Sequence, residues 1–173
     1  TPKASVVNFF SGELSYTLEN RLTLTMFKQI LDLVYMEKVR EDEGGTYGVQ
    51  TSAQISSFPE GRTVLQTYFD TDPAKRAQMN SIVHNELKRI AETGPRPEDF
   101  NKTKENLLKK HAEALQENSY WLNTIDTYYF KKRDDHSTYD ATLNAITPAS
   151  IQNLAKSLLK QGNTVEVVME PSH

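Results

Sequence analysis

Apolar positions recur along this chain with two periods, and the switches between them mark its elements. Val6, Val7, Phe9 and Phe10 crowd the segment Ala4 to Phe10, and Ser11-Gly12 follows, which predicts a strand and its stop. From Leu18 to Glu41 the period lengthens: Leu22, Met26, Phe27, Ile30, Leu33, Val34 and Val39 return at three and four, the spacing of one helical face. Leu24, Leu31 and Met36 widen that stripe, so this helix is expected to be covered on more than one side. After Gly44-Gly45 the period falls to two. Tyr47, Val49, Ala53 and Ile55 alternate with Thr46, Gly48, Gln50, Ser52 and Gln54, a strand with one apolar and one polar face. Phe58-Pro59-Glu60-Gly61 reads as a turn, and Arg62 to Asp70 as the returning strand of a hairpin, with Leu65 and Phe69 on one face and Val64 and Tyr68 on the other.

Asp72-Pro73 then opens a helix, an N-cap followed by proline in the first turn, which runs to Glu92 on Met79, Ile82, Val83, Leu87 and Ile90. Gly94-Pro95-Arg96-Pro97 breaks it, and Pro97-Glu98-Asp99 starts another, its acids placed at the positive end of the helix dipole, with Phe100, Leu107, Leu108, His111 and Leu115 as its stripe. A third helical stretch, Ser119 to Lys132, carries Tyr120, Trp121, Ile125, Tyr128, Tyr129 and Phe130. After the polar break Arg133-Asp134-Asp135-His136 come a short helix near Tyr139 to Ile146, a helix capped by Thr147-Pro148, and a closing strand from Thr164 to Met169. Strand, helix, hairpin, a run of helices and a strand indicate one α+β domain, residues 1–173, built as a two-layer sandwich with a largely antiparallel sheet and helices on one face. The polar faces of the hairpin leave the other side of the sheet free to line a wet groove.

Composition narrows the function classes. Of 173 residues 37% are apolar and 25% charged, ordinary for a chain with a real core, and a net charge of −3 gives no whole-chain attraction to nucleic acid. Lys109-Lys110 and Lys131-Lys132-Arg133 are too short for a nucleic-acid patch, and basic residues do not interleave with the aromatic run at 120–130, which reads as core or interface packing. No apolar run approaches the ~20 residues of a membrane span, so no membrane insertion is expected. There is no cysteine, which excludes disulfides, thiolate zinc sites and a cysteine nucleophile. The chain opens Thr1-Pro2-Lys3 without an initiator Met, as expected of a processed product or a piece of a longer protein.

The chemistry concentrates where the long helix gives way to the hairpin, in Val39-Arg40-Glu41-Asp42-Glu43-Gly44-Gly45-Thr46-Tyr47-Gly48-Val49. The glycine pair suits the turn, since glycine reaches the left-handed conformation that ends helices. Arg40 falls on the last helical turn and Tyr47 at the mouth of the strand, so both can face one cleft. A guanidinium forks donors toward carbonyl or carboxylate oxygens, and a phenol offers one rotatable donor and acceptor. The pair can bind a peptide backbone or an oxyanion, and neither residue cleaves anything alone. Ordinary readings stand beside this one: Arg40 as a solvated arginine that suits a helix C-terminus, Tyr47 as a core tyrosine sharing a face with Val49 and Ile55. His111 lies on an apolar stripe and reads as packed, His84 as a rim residue.

Helix-Arg40-Glu41-x-x-Gly44-Gly45-Thr46-Tyr47-Gly48-Val49 resembles a signature of the pitrilysin/insulinase family of zinc metallopeptidases, in its non-catalytic half. The hairpin, the helix after Asp72-Pro73, the Pro-Glu-Asp-Phe start at 97–100 and the closing Thr147-Pro148…Asn163-Thr164-Val165-Glu166-Val167-Val168-Met169-Glu170-Pro171 extend the resemblance over nearly the whole chain, as a C-terminal-type domain. The resemblance implies two homologous halves closing on a chamber. One carries zinc on an H-x-x-E-H helix; the other supplies an arginine and a tyrosine, here Arg40 and Tyr47. Tyr47 would donate to the carbonyl oxygen that becomes the oxyanion, and Arg40 would hold substrate backbone. The zinc motif needs two histidines four apart on one helix face. His84 has Lys88 four on, His111 has Leu115, His136 and His173 have no such partner, and His84 and Glu86 diverge around a helix. Zinc is therefore expected in a companion half, in the same polypeptide or a separate subunit, with none in this chain. The implied activity is proteolysis of peptides or unfolded proteins by the full-length metallopeptidase, with this fragment inactive alone. The alternative is an inactive scaffold or assembly subunit of the same fold. A periplasmic setting is expected if the source is bacterial.

Overall fold

The computed structural model describes residues 2–41 and 48–170, with the backbone alone for residues 39–41. The elements follow one another as β1 (Ala4–Glu13), α1 (Leu18–Glu41), β2 (Gln50–Ser56), β3 (Arg62–Thr71), α2 (Arg76–Thr93), α3 (Pro97–Ala114), α4 (Asn118–Lys131), α5 (Tyr139–Ala145), α6 (Pro148–Gln161) and β4 (Asn163–Met169). The strands form one sheet of order β2-β3-β1-β4, and every neighbouring pair is antiparallel. The domain is α+β, two layers, with the helices on one face.

β1 shows the alternation that its sequence dictates. Ala4, Val6, Asn8 and Phe10 are buried toward the helices, and Val7 and Phe9 stand half-buried on the open face. The strand does not stop at Ser11-Gly12. It runs to Glu13, with Gly12 opposite Thr63. The reason is Gln161, whose Oε1 accepts from the Glu13 amide at 2.6 Å while its Nε2 donates to the Glu13 carbonyl at 3.2 Å. A Cβ on Gly12 would lie 2.7 Å from that same side chain, so the glycine admits the clamp that carries the strand onward. Gly61 is constrained more tightly, because a Cβ there would sit 2.5 Å from the Leu14 carbonyl oxygen.

The helices start and stop on local chemistry. Asp72 caps a 3₁₀ turn, Pro73–Lys75, its carboxylate accepting from the Ala74 amide at 2.8 Å, and α2 follows. Thr147 and Ser150 form a reciprocal capping box on α6, which ends at Gly162 with φ 69°. α1 is the central helix. It packs over β2 and against α2, α3, α5 and α6, and Met26, Phe27, Ile30, Leu31 and Tyr35 are wholly inaccessible. Covering on several sides is what the widened stripe predicted, except at Met36, which stands half exposed. Beneath it the core continues through Phe10, Leu65 and Phe69 of the sheet, Val83 and Leu87 of α2, and Ile151 and Leu158 of α6.

The aromatic run at 120–130 does not enter this core. No residue of α4 is buried, and Leu122, Ile125, Tyr128, Tyr129 and Phe130 are all more than half exposed. The polar residues Asn123, Thr124 and Thr127 instead face inward along a cleft, so the apolar stripe is turned out. Among the described residues no helix is long and apolar enough to cross a membrane.

The ring of Phe27, at the centre of the packing, sets a test of the architecture. Phe27→Ala is expected to cost about 3–5 kcal/mol, read as a lower denaturant midpoint with an unchanged slope.

Candidate functional site

The sequence places its site where α1 ends and β2 begins. Arg40 does stand on the last turn of α1. Its side chain, together with Gly44, Gly45 and all of Tyr47, lies outside the described residues. Their convergence on one cleft therefore stays an expectation from the sequence. The described neighbours define the frame that carries them.

Two contacts fix the end of α1. Tyr35 is buried, and its hydroxyl donates to the Val83 carbonyl of α2 at 3.1 Å; burial pushes its phenol far above the usual range. One turn on, Glu37 accepts two hydrogen bonds from Arg96, at 2.9 Å and 2.5 Å. Arg96 also donates through Nε to Asp99 at 2.6 Å, a carboxylate that is almost fully buried at the start of α3. The guanidinium fork thus ties the α1 terminus to the first turn of α3. Its hydrogen bonds hold the Glu37 carboxyl below the usual range, and the two carboxylates raise the Arg96 guanidinium further still. Beyond the undescribed segment the chain resumes at Gly48, with φ 106°, a conformation that favours glycine. Val49 then packs on the core and Thr51 is buried on the helix side of β2.

The open face of the sheet begins beside this junction. Gln50, Ser52 and Gln54 of β2 lie opposite Tyr68, Gln66 and Val64 of β3, in that order. Tyr68 donates to Asp70 Oδ1 at 2.7 Å, and Ser5 of β1 donates to the same oxygen at 2.6 Å. Those two bonds, Ser5 first, hold Asp70 below the usual carboxylate range. The result is a row of amides and hydroxyls able to pair with a polypeptide backbone, beside a stripe of Val165, Val167 and Met169 that β4 leaves exposed.

His84 and His111 both make structural contacts. His84, read from the sequence as a rim residue, is half-buried. Its Nε2 lies 3.3 Å from Asn8 Oδ1 and its ring meets Phe10 edge-on, so α2 uses it to grip the sheet. His111 is packed, as its stripe implied, and bonded to Asp140 and Tyr120. Among the described residues no three His, Asp or Glu side chains converge as metal ligands. The Arg96 clamp was invisible in sequence because its partners lie 59 residues upstream and 3 downstream, and Arg96 read only as part of a helix break.

Comparison with known proteins agrees with this architecture. Residues 2–107 match the family described as "Peptidase M16 inactive domain". The zinc protease PQQL-like of Arabidopsis thaliana is 24% identical over 102 residues, 56% of this chain and 11% of that protein. The periplasmic protease PqqL from Escherichia coli superposes with a TM-score of 0.83 at 18% identity, over 99% of this chain and 19% of that one. The inactive peptidase domain of a putative zinc protease from Bordetella parapertussis gives 0.70 at 9% identity, over 100% of this chain and 93% of that one. The chain thus spans a small fraction of the PqqL-type proteins and nearly all of a single inactive domain.

Arg96→Ala would leave Glu37 and Asp99 without their cation. The expected result is faster amide exchange over residues 34–38, with α6 unchanged, and a Glu37 carboxyl that titrates nearer its ordinary range. The sign follows from the depressed native value of Glu37. Its contribution is complete above the unfolded carboxylate range and is lost as pH falls through the native value, so the variant should lose that part of the acid dependence. Amide exchange and carboxyl NMR titration of both proteins check this.

Proposed function

Because the chain belongs to the Peptidase M16 inactive-domain family, we propose that it serves as the substrate-binding, zinc-free half of a zinc metalloendopeptidase acting on peptides or unfolded proteins. The observation that carries this reading is that the matched segment, residues 2–107, includes the α1 exit and β2 entry with both Arg40 and Tyr47. The clamped end of α1 and the polar open face of the sheet support it, since a binding wall needs fixed donors and acceptors beside a groove.

Zinc does not fit this chain's own residues. The sequence has no cysteine and no pair of histidines four apart. Zinc and the general base are therefore assigned to a companion half carrying H-x-x-E-H, in the same polypeptide or in a separate subunit. On this chain the work is binding and orientation. Arg40 holds backbone carbonyls through its guanidinium fork. Tyr47 donates its hydroxyl proton in a hydrogen bond that strengthens as negative charge grows on the substrate carbonyl oxygen. The periplasmic protease PqqL offers a setting: the periplasm, if the source is bacterial. The second reading is a scaffold that keeps the fold without serving proteolysis; the description "inactive domain" suits it too.

The isolated chain is expected to retain no zinc after dialysis and to cleave no quenched peptide; one tightly held zinc per chain would overturn the assignment.

In enzyme containing the zinc-bearing half, Tyr47→Phe keeps the ring and removes one donor. Turnover should fall by roughly 10²–10³ with little change in substrate binding. Arg40→Lys should raise KM more than it lowers kcat. Wild-type turnover in Tyr47→Phe, with any effect confined to stability, would end the oxyanion role and favour the scaffold.

A further inference from the structure

Four side chains from four segments meet end to end beneath α4. Asp140 of α5 lies 2.8 Å from Nδ1 of His111 on α3. His111 Nε2 lies 2.9 Å from the hydroxyl of Tyr120 on α4. That hydroxyl lies 2.8 Å from Nδ1 of His136, in the loop between α4 and α5.

The order of protons along this line is forced from its carboxylate end. The Asp140 carboxylate only accepts, so His111 Nδ1 carries a proton. In neutral His111, Nε2 is then a lone pair and accepts a hydrogen bond from the Tyr120 hydroxyl. Burial raises the Tyr120 phenol, which keeps that proton in place. The Tyr120 oxygen in turn accepts from Nδ1–H of His136. One added proton is absorbed without breaking any link. On His136 it occupies Nε2 and the order stands. On His111 it reverses the line: Nε2–H donates to Tyr120, Tyr120 donates to His136 Nδ1, and His136 carries its proton on Nε2. A second proton changes the outcome. Both rings then present N–H to the same phenol oxygen, Tyr120 keeps only Thr124 of its own helix and neither ring to donate to, and two imidazolium centres stand 6.4 Å apart.

α4 depends on this line because little else holds it. It buries no residue, and its inner face borders a cleft of about 220 Å³ rather than packed apolar side chains. Besides Tyr120, its first turn is tied down by the Trp121 indole N–H, which donates to the Leu115 carbonyl at 2.9 Å.

We propose that the Asp140–His111–Tyr120–His136 line is a proton-operated latch: it holds α4 against α3 and α5 with up to one added proton, and the second releases it. The groups facing the two histidines set the balance. Around His111 stand Asp140 and the stacked ring of Tyr139 from α5, and Tyr120 from α4. Around His136 stand Asp134, Asp135 and Arg133 of its own loop, Tyr120 and Trp121 of α4, and, across the cleft, Arg21 of α1, which is paired with Asp135 at 2.5 Å. Carboxylates and guanidiniums thus both face the pair.

Trp121 is the only tryptophan in the chain, and its ring meets His136 edge-on at 5.0 Å, so the latch carries its own reporter. Amide exchange over residues 118–131, corrected for the pH dependence of intrinsic exchange, gives a second readout. Between about pH 7.5 and about pH 5, across the range where histidine titrates, α4 should lose protection relative to α1 and α6, and Trp121 emission should move to longer wavelength. Tyr120→Phe should leave α4 poorly protected at both pH values. His136→Asn, which keeps a neutral hydrogen-bonding group, should stay protected at both. Equal protection of wild-type α4 at the two pH values, an equal loss in α1 and α6, or an unchanged pH response in His136→Asn would each overturn the latch. If Tyr120→Phe does not fold, His136→Asn decides the matter alone.

Discussion

The fold leans on the burial of a single helix from several directions. α1 touches the sheet through β2 and also lies under α2, α3, α5 and α6. A helix exposed on one side can shift along its groove at modest cost, whereas one enclosed this way cannot slide without opening voids against several neighbours. The position of its C-terminal turn is therefore decided by the core, and the Arg96 clamp adds direction rather than stability. Partly exposed ion pairs contribute little to folding free energy. What Arg96 fixes is where the chain leaves the helix, which matters to Arg40 three residues beyond Glu37.

Much of this was legible because the relevant signals are local. The bounds of α1 came from an apolar period sustained over its whole length, and those of α6 from Thr147-Pro148 at one end and Gly162 at the other. The hairpin was legible from its alternation. The misreadings share a different cause: each depends on a partner distant in sequence. β1 continues past Gly12 because Gln161 arrives from the other end of the domain. For α4 the aromatic composition left core and interface packing open, and the structure removes only the first, since no residue of the helix is buried and composition does not say which face a neighbour will take. Arg96, His84 and the Asp140–His111–Tyr120–His136 line are contacts between segments, with no periodic trace. Arg40 and Tyr47 drew their meaning from a resemblance, and the ordinary readings of a solvated arginine and a core tyrosine were never removed by spacing alone.

The two faces of the sheet divide the labour of the domain. The inner face carries the core and one polar cluster, Asn8 with Thr67, Asn80 and His84, in which every contact links the sheet to itself or to α2. Among the described residues the outer face carries no helix. Its β2–β3 side is polar and its β4 side apolar, so a chain laid across it would meet hydrogen-bonding groups first and a greasy strip second.

β4 is also an outermost strand. Seven residues long, it pairs among the described residues on one side only, with β1, and offers the other side's amides and carbonyls to any strand that reaches it. Such an edge invites sheet-to-sheet association between copies unless something interrupts it, and a charge within the strand is a common interruption. Here that charge is Glu166, flanked by Val165 and Val167 and held by the Asn80 amide at 2.7 Å. The carboxylate that helps fasten β4 to α2 thus also stands guard over the edge, as the one charge within a Thr-Val-Glu-Val-Val-Met run. The protection of an open sheet edge is thus entrusted to a side chain whose place in the fold looks merely structural.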